Sequence, residues 1–333
     1  MRLLKVAIGV GVSLALLAAL LWKVDLGALG AELASTHWGW ALASALFAVV
    51  GVWTRARRWH YLFPPGSNPP ALFRASMIGY MANNVLPLRA GEIVRVYVVA
   101  RHWSEGFWMP FATLVVERVL DGLAIVMILG SLLLVIEVPP PLRWTAGVFL
   151  GLDLAAVVVL AAAAAAPGAC RTVIVRLTRR SQWLTARCTA IFEMFVRGLV
   201  GVRTARHAGP IFAWSFLVWL TAALAAWTAL FAARLHLPLV AAWTVLAFVG
   251  LGISLPSAPG YIGVFHTAAV LALTLFGVSH SLAFGYAILY HACGFIPITL
   301  FGWVLLLREH MSLGEATRRP VGAPSAGVTA RAD

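Results

Sequence analysis

Charged residues are scarce in this sequence. They make up 11% of 333 residues, against 62% hydrophobic residues, and the mean hydropathy is +0.91. Soluble domains carry about 25% charged residues, so the composition excludes a soluble enzyme, a nucleic-acid-binding protein and a secreted disulfide-stabilised domain. A helix needs about 20 apolar residues to cross the roughly 30 Å core of a bilayer. We therefore expect an all-α polytopic membrane protein with little chain left for a separate catalytic domain.

Metal-binding and catalytic motifs are also missing. The three cysteines, Cys170, Cys188 and Cys293, are isolated and provide no set of zinc ligands. The sequence contains no G-x-S-x-G nucleophile motif, no Walker loop, no H-E-x-x-H and no Gly-rich dinucleotide motif. We therefore predict no metal site, no cofactor and no catalytic residue.

Long apolar runs predict six to eight transmembrane helices. The first run, 6–22, is too long for a signal peptide and lacks a small-residue cleavage site, so we expect a retained span. A mixed stretch covers 64–106. The other apolar runs are 38–54, 109–137, 144–166, 210–233, 239–255, 261–277 and 282–307. Pro256, Pro259 and Gly260 interrupt the pair 239–255 and 261–277, which forms either two spans or one re-entrant hairpin.

The net charge of +13 predicts an orientation in the membrane rather than a nucleic-acid partner. With the N-terminus in the cytoplasm, 21 of the 25 lysines and arginines fall in cytoplasmic segments, as the positive-inside rule requires. Both termini would then be cytoplasmic, in a bacterial-type inner membrane. The basic amphipathic segment 167–209 lies either at the interface beside anionic lipids or in solvent as an orientation signal. The tail 311–333 is expected to be disordered.

A broken-helix pattern occurs twice. Residues 86–91 and 255–260 share L-P-x-x-x-G at an offset of 169 positions, and apolar runs flank both copies at similar distances. In the expected topology the copies have opposite orientations. Paired Pro/Gly-broken segments in inverted halves are typical of transporter binding sites, because a broken helix leaves backbone groups that hydrocarbon does not satisfy. The alternative is a tight loop in each copy.

Polar residues surround the first break. Asn84 precedes Pro87, and Arg89, Glu92 and Arg95 follow it. Free N–H groups at the start of a helix can hold an anion, and arginine is suited to phosphate. The alternative is an ordinary cytoplasmic loop with a surface ion pair between Glu92 and Arg95.

Three ionisable residues, Glu117, Arg118 and Asp121, lie inside the apolar run 109–137. Each costs about 2.5–3.5 kcal/mol at the bilayer centre, so they must pair or face water. They either line the same cavity as the arginines of the first break or form a structural ion-pair cluster. Asp153, the lone acid of 144–166, is a candidate for proton coupling or for a hydrogen bond to a neighbouring helix.

Three motifs, at 83–95, 116–121 and 255–263, resemble the lysylphosphatidylglycerol synthase transmembrane family, also called flippase-like domain proteins. The resemblance covers roughly 1–310, which is expected to be a single integral membrane domain. In two-part members this domain is thought to move aminoacylated phosphatidylglycerol between leaflets, while a soluble domain makes the lipid. The resemblance implies translocation without synthesis, and leaves the lipid open among an anionic phospholipid, a hopanoid and a glycolipid.

The sequence therefore favours a lipid translocase. Its candidate headgroup and translocation residues are Asn84, Arg89, Glu92, Arg95, Glu117, Arg118, Asp121, Pro256, Pro259 and Gly260. One alternative is a polytopic transferase acting on a lipid-linked substrate. Another is a non-transporting membrane partner of a lipid-synthesis enzyme, docked through the basic segment.

Overall fold

The computed structural model describes residues 34–67, 71–86, 89–101, 106–132, 140–254 and 258–309, apart from a few isolated positions. Within these ranges the chain is helical and contains no strand, which confirms the all-α prediction. The predicted first span 6–22, the tail 311–333 and Pro256 lie outside the described residues.

The first four described helices are α1 (Trp38–Leu62), α2 (Leu72–Val85), α3 (Gly91–Arg101) and α4 (Trp108–Leu132). α1 extends two turns beyond the predicted run 38–54, because Arg55 and Arg58 continue the helix instead of starting a loop. α2 and α3 pack against each other on either side of the first break. With 14 and 11 residues at 1.5 Å per residue, neither is long enough to cross a bilayer.

A helical hairpin separates the two helix sets that flank the breaks. α5 (Pro140–Ala165) leads into α6 (Pro167–Thr178), α7 (Gln182–Gly198) and the short α8 (Val200–Arg203). The chain bends by 105° between α5 and α6. α6 and α7 then run antiparallel. Arg171 pairs with Glu193 at 3.2 Å at the base of this hairpin, and Thr185 Oγ1 donates to Thr178 Oγ1 at 2.9 Å near its tip.

The last helices repeat the order of the first four. They are α9 (Ala205–Ala232), α10 (Leu239–Ile253), α11 (Val264–Thr274) and α12 (His280–Arg308), with a 3₁₀ turn at Pro259–Tyr261 between α10 and α11. Each set has a long helix, a short helix, a break, a short helix and a long helix. α10 and α11 have 15 and 11 residues, so each is also shorter than a membrane-spanning helix.

Three described helices, α1, α9 and α12, are long and apolar enough to cross a membrane, and α5 together with α6 gives a fourth candidate. α4 has the same 25-residue length as α1. Its three ionisable residues lie near its middle, whereas the arginines of α1 follow the apolar stretch 38–54. The total of six to eight spans stays a prediction.

Small residues allow the helices to approach closely. α1 packs along α9, α12 packs on α2, and α10 packs on α4. Alanines supply much of the buried surface of α9, as is common where membrane helices pack. Ser44 Oγ donates to the carbonyl of Ala225 at 2.8 Å, and Tyr286 donates to the carbonyl of Ala226 at 3.0 Å. These bonds join α1 and α12 to the same turn of α9.

Candidate functional site

Seven ionisable side chains from α1, α3 and α4 form one connected set of ion pairs, which we call the buried charge cluster. Arg58 and Glu117 are fully buried at its centre, and the other members become more exposed outward. The members are Arg55, Arg58, Glu92, Arg95, Glu117, Arg118 and Asp121.

Glu117 binds three arginines. Arg95 Nη2 lies 2.5 Å from Oε2, while Nη2 of Arg118 and Nη2 of Arg58 lie 3.2 and 3.4 Å from Oε1. The Arg95 guanidinium also sits 4.5 Å from the ring centroid of Trp59, a favourable cation–π contact. The Trp59 indole N–H donates to Thr113 Oγ1 at 2.8 Å, which fixes the ring between α1 and α4.

Asp121 lies one turn further along α4 and also binds three arginines. Its carboxylate contacts Arg58 at 2.8 Å, Arg55 at 3.0 Å and Arg118 at 3.4 Å. Arg118 reaches Glu92 of α3 at 3.6 Å. Arg58 and Arg118 therefore each bridge both acids of α4, so the cluster is one network rather than separate pairs.

The cluster has more positive than negative charge. Four arginines face three carboxylates, which leaves an excess of one positive charge within it. Nε and Nη1 of Arg58, Nε of Arg95 and the buried hydroxyls of Ser76 and Tyr80 make no hydrogen bond to any described residue. A buried donor without an acceptor carries an appreciable desolvation penalty. These groups are available to donate to an anion.

The two helix breaks contact each other beside this cluster. Arg89, in the first break, donates through Nη2 to the carbonyl of Ile253 at the end of α10. Its guanidinium lies 5.7 Å from the ring centroid of Tyr261, in the second break. Because the last carbonyls of a helix lack intrahelical partners and carry partial negative charge, Arg89 stabilises the end of α10.

The last turn of α2, just before the first break, also contacts the second break, through Asn84 and Gly260. The Asn84 carbonyl is 3.2 Å from where a Cβ on Gly260 would lie, and Gly260 has a φ of +67°. Asn84 Nδ2 also donates to Thr299 Oγ1 of α12 at 2.8 Å. Glycine is therefore favoured at position 260 both by its left-handed backbone and by the close approach of the first break.

Most predicted site residues come together in this region. The first break leads directly into α3, which carries Glu92 and Arg95, so the two contacting breaks adjoin the charge cluster. Asp153 does not join: its carboxylate packs against Gly122 of α4, and its Oδ2 has no hydrogen-bond partner among the described residues.

Two members of the cluster, Arg55 and Arg58, were not among the predicted site residues. They follow the apolar run 38–54 in the sequence, and the side chain of Arg58 is buried against Glu117 and Asp121. A signal for them was present in the sequence: α4 has two acids and one arginine of its own, so it needs arginines from elsewhere.

The described residues contain no group of three or more histidine, cysteine or acidic side chains that could hold a metal ion. The cysteines at 170, 188 and 293 are free thiols. The side chains present at this site are guanidinium, carboxylate and hydroxyl groups, which recognise charge and hydrogen-bonding partners.

These features define the class of the protein. It is a helical membrane protein with a buried arginine–carboxylate network beside two contacting helix breaks. The sequence matches the lysylphosphatidylglycerol synthase TM region family over residues 6–302, and the chain belongs to this family. No curated protein and no solved structure matches it at a significant level. The chain is thus a multi-pass helical membrane protein with a lipid-related function.

Proposed function

We propose that the protein moves an anionic phospholipid between the leaflets of a bacterial-type inner membrane. The observation that carries this proposal is the excess positive charge of the buried charge cluster, together with its unpaired buried donors. A phosphodiester has one negative charge and non-bridging oxygens that accept from guanidinium groups. It would neutralise the cluster and supply acceptors for Nε and Nη1 of Arg58 and for Nε of Arg95.

Stability alone does not account for such a network. When a buried ion-pair network is replaced by well-packed apolar side chains, the protein is often equally stable or more stable. An ionisable residue inside a membrane is, in general, a marker of a substrate or ion pathway. The location of these residues beside two helix breaks supports the same interpretation.

The exposure of the cluster suggests how a headgroup would enter. The side chains of Arg118, Glu92 and Arg55 are 34%, 23% and 20% exposed, whereas Arg58 and Glu117 are fully buried. In this proposal the phosphate first meets Arg118 and then the inner arginines. The acyl chains stay in the bilayer.

The helix pairing supports an internal two-fold relation. α2 of the first set packs on α12 of the second, and α10 of the second packs on α4 of the first, while α1 and α9 pack on each other. Reciprocal contacts of this kind are what a two-fold axis produces. We propose that α1–α4 and α9–α12 are inverted repeats within one membrane domain. The contact between their breaks would then rearrange during alternating access.

Lipid movement by the purified protein tests this proposal. Liposomes would contain a trace of head-labelled phosphatidylglycerol, and a membrane-impermeant reductant would bleach the label in the outer leaflet. With protein present, bleaching is expected to extend to label that began in the inner leaflet, faster for phosphatidylglycerol than for matched phosphatidylcholine. Heat-unfolded protein is the control.

Two other outcomes would contradict translocation. No movement of any anionic lipid by folded protein, with a stable enzyme partner in the preparation, would favour a role as a membrane partner. A product formed from a sugar donor and a lipid-linked acceptor would favour a transferase.

A further inference from the structure

The α6–α7 hairpin projects from the helices that hold the charge cluster. α6 has no buried residue, and the 105° bend turns it almost perpendicular to α5. We take α5, which corresponds to the predicted apolar run 144–166, as the part of this bent pair that crosses the membrane. A helix nearly perpendicular to it would then run along the membrane surface. In this arrangement the hairpin would lie at the level of the lipid headgroups.

The tip of this hairpin, residues 173–191, is strongly basic. It carries Arg176, Arg179, Arg180 and Arg187 and contains no aspartate or glutamate. The nearest acid, Glu193, is at the base of the hairpin, where it pairs with Arg171 at 3.2 Å. None of the four tip arginines has an acidic partner among the described residues, so they are available to anions from outside the protein.

The hairpin tip also exposes large apolar side chains. Leu177 is 79% exposed, Trp183 67% and Leu184 41%. The Arg187 guanidinium lies 5.2 Å from the ring centroid of Trp183, so a basic and an aromatic group are presented together. Arginine with exposed tryptophan and leucine is the composition of helices that lie in the headgroup region of a bilayer.

The base of the hairpin is fixed to α4. Phe192 and Phe195 of α7 pack into the same core as Met109. A Cβ on Gly198 would be 2.5 Å from the Cβ of Ala112 and 2.8 Å from the carbonyl of Met109. The base of the hairpin is therefore held at a defined position relative to α4, the helix that carries Glu117 and Asp121.

We propose that the hairpin tip is a binding site for anionic lipid headgroups, separate from the buried charge cluster. Arg176, Arg179 and Arg180 bind lipid phosphates at the membrane surface, while Leu177 and Trp183 enter the boundary with the acyl chains. Each arginine near an anionic surface contributes to this attraction. Because large apolar residues are exposed beside the arginines, the partner of this site is a bilayer rather than an acidic protein. The site does not depend on lipid translocation.

A fluorescence experiment on the full chain tests this site. The three native cysteines are changed to serine, and Leu177→Cys carries an environment-sensitive label in protein reconstituted into vesicles. We expect quenching by a lipid spin-labelled near the headgroup to rise as phosphatidylglycerol replaces phosphatidylcholine, and to fall at high salt. In Arg176→Gln/Arg179→Gln/Arg180→Gln, half-maximal quenching should require several-fold more phosphatidylglycerol.

The matched control is Arg318→Gln/Arg319→Gln/Arg331→Gln, which removes the same number of charges outside the hairpin and should leave the titration unchanged. The midpoint of thermal unfolding should be the same in both triple variants, since the tip arginines have no partner that unfolding would release. The proposal is overturned if aqueous iodide quenches the label equally in both lipids, or if the hairpin triple variant titrates like wild type.

Discussion

Replacing Glu117 by glutamine is expected to destabilise the protein by about 3–5 kcal/mol, the range for removing one partner of a buried ion pair. Its carboxylate binds Arg58, Arg95 and Arg118, two of which are almost completely buried. Glutamine keeps the shape but supplies no negative charge. The cluster would then hold four arginines against two carboxylates.

Reversible unfolding in mixed detergent micelles measures this effect. Glu193→Gln is the matched control, because Glu193 forms an exposed pair with Arg171 and exposed pairs are worth about 0–1 kcal/mol. The double variant Glu117→Gln/Arg95→Gln should lose less than the sum of the two single variants, since it removes one of the uncompensated charges. A Glu117→Gln variant as stable as Glu193→Gln would show that the cluster is not a closed buried network.

Gly91→Ala is expected to open the α2–α3 hairpin. A Cβ at this position would overlap the carbonyl oxygen of Gly79 and lie 2.6 Å from the backbone nitrogen of Asn83. The Gly91 N–H also donates to Asn83 Oδ1 at 2.9 Å, so the two helices cannot separate without losing this bond. Because the obstacles are backbone atoms, we expect a loss at the upper end of the about 1–3 kcal/mol typical of overpacking.

The control for this change is Gly130→Ala in α4, where no atom lies within 4 Å of the added Cβ. Alanine has the higher helix propensity, so Gly130→Ala should be neutral or stabilising by up to about 1 kcal/mol. The unfolding measurement used for Glu117 compares the two variants. Equal stability of Gly91→Ala and Gly130→Ala would contradict the close approach of α2 and α3.

Sequence patterns were sufficient for the helices and for part of the site. The apolar runs predicted long helices, and the acids of α4 predicted a need for partners, which Arg95 supplies. The extent of α1 was not predictable from hydropathy, since Arg55 and Arg58 end the apolar run although they continue the helix. Their contacts with α4 depend on how α1 packs, and this is not encoded in a local pattern.

The contact between the two breaks is a feature of tertiary structure. The recurrence of L-P-x-x-x-G predicted two breaks. The partner of Arg89, however, is the backbone carbonyl of Ile253, and a pattern of side chains cannot indicate a contact with a backbone group. Asp153 shows the opposite case. Its position in an apolar run marked it as a candidate, yet it packs against Gly122 and forms no ion pair with the arginines of the cluster.

The central claim is that the buried charge cluster holds the lipid phosphate during movement between leaflets. The most direct measurement is the rate of phosphatidylglycerol exchange by Arg118→Gln compared with Arg171→Gln, each with its fold verified by thermal unfolding. Arg118→Gln removes the excess positive charge of the cluster, whereas Arg171→Gln removes an exposed charge of the hairpin. The account predicts that exchange falls at least tenfold in Arg118→Gln and is unchanged in Arg171→Gln, since one charge-assisted contact is worth about 1.5–3 kcal/mol. Wild-type exchange by a folded Arg118→Gln protein would contradict it.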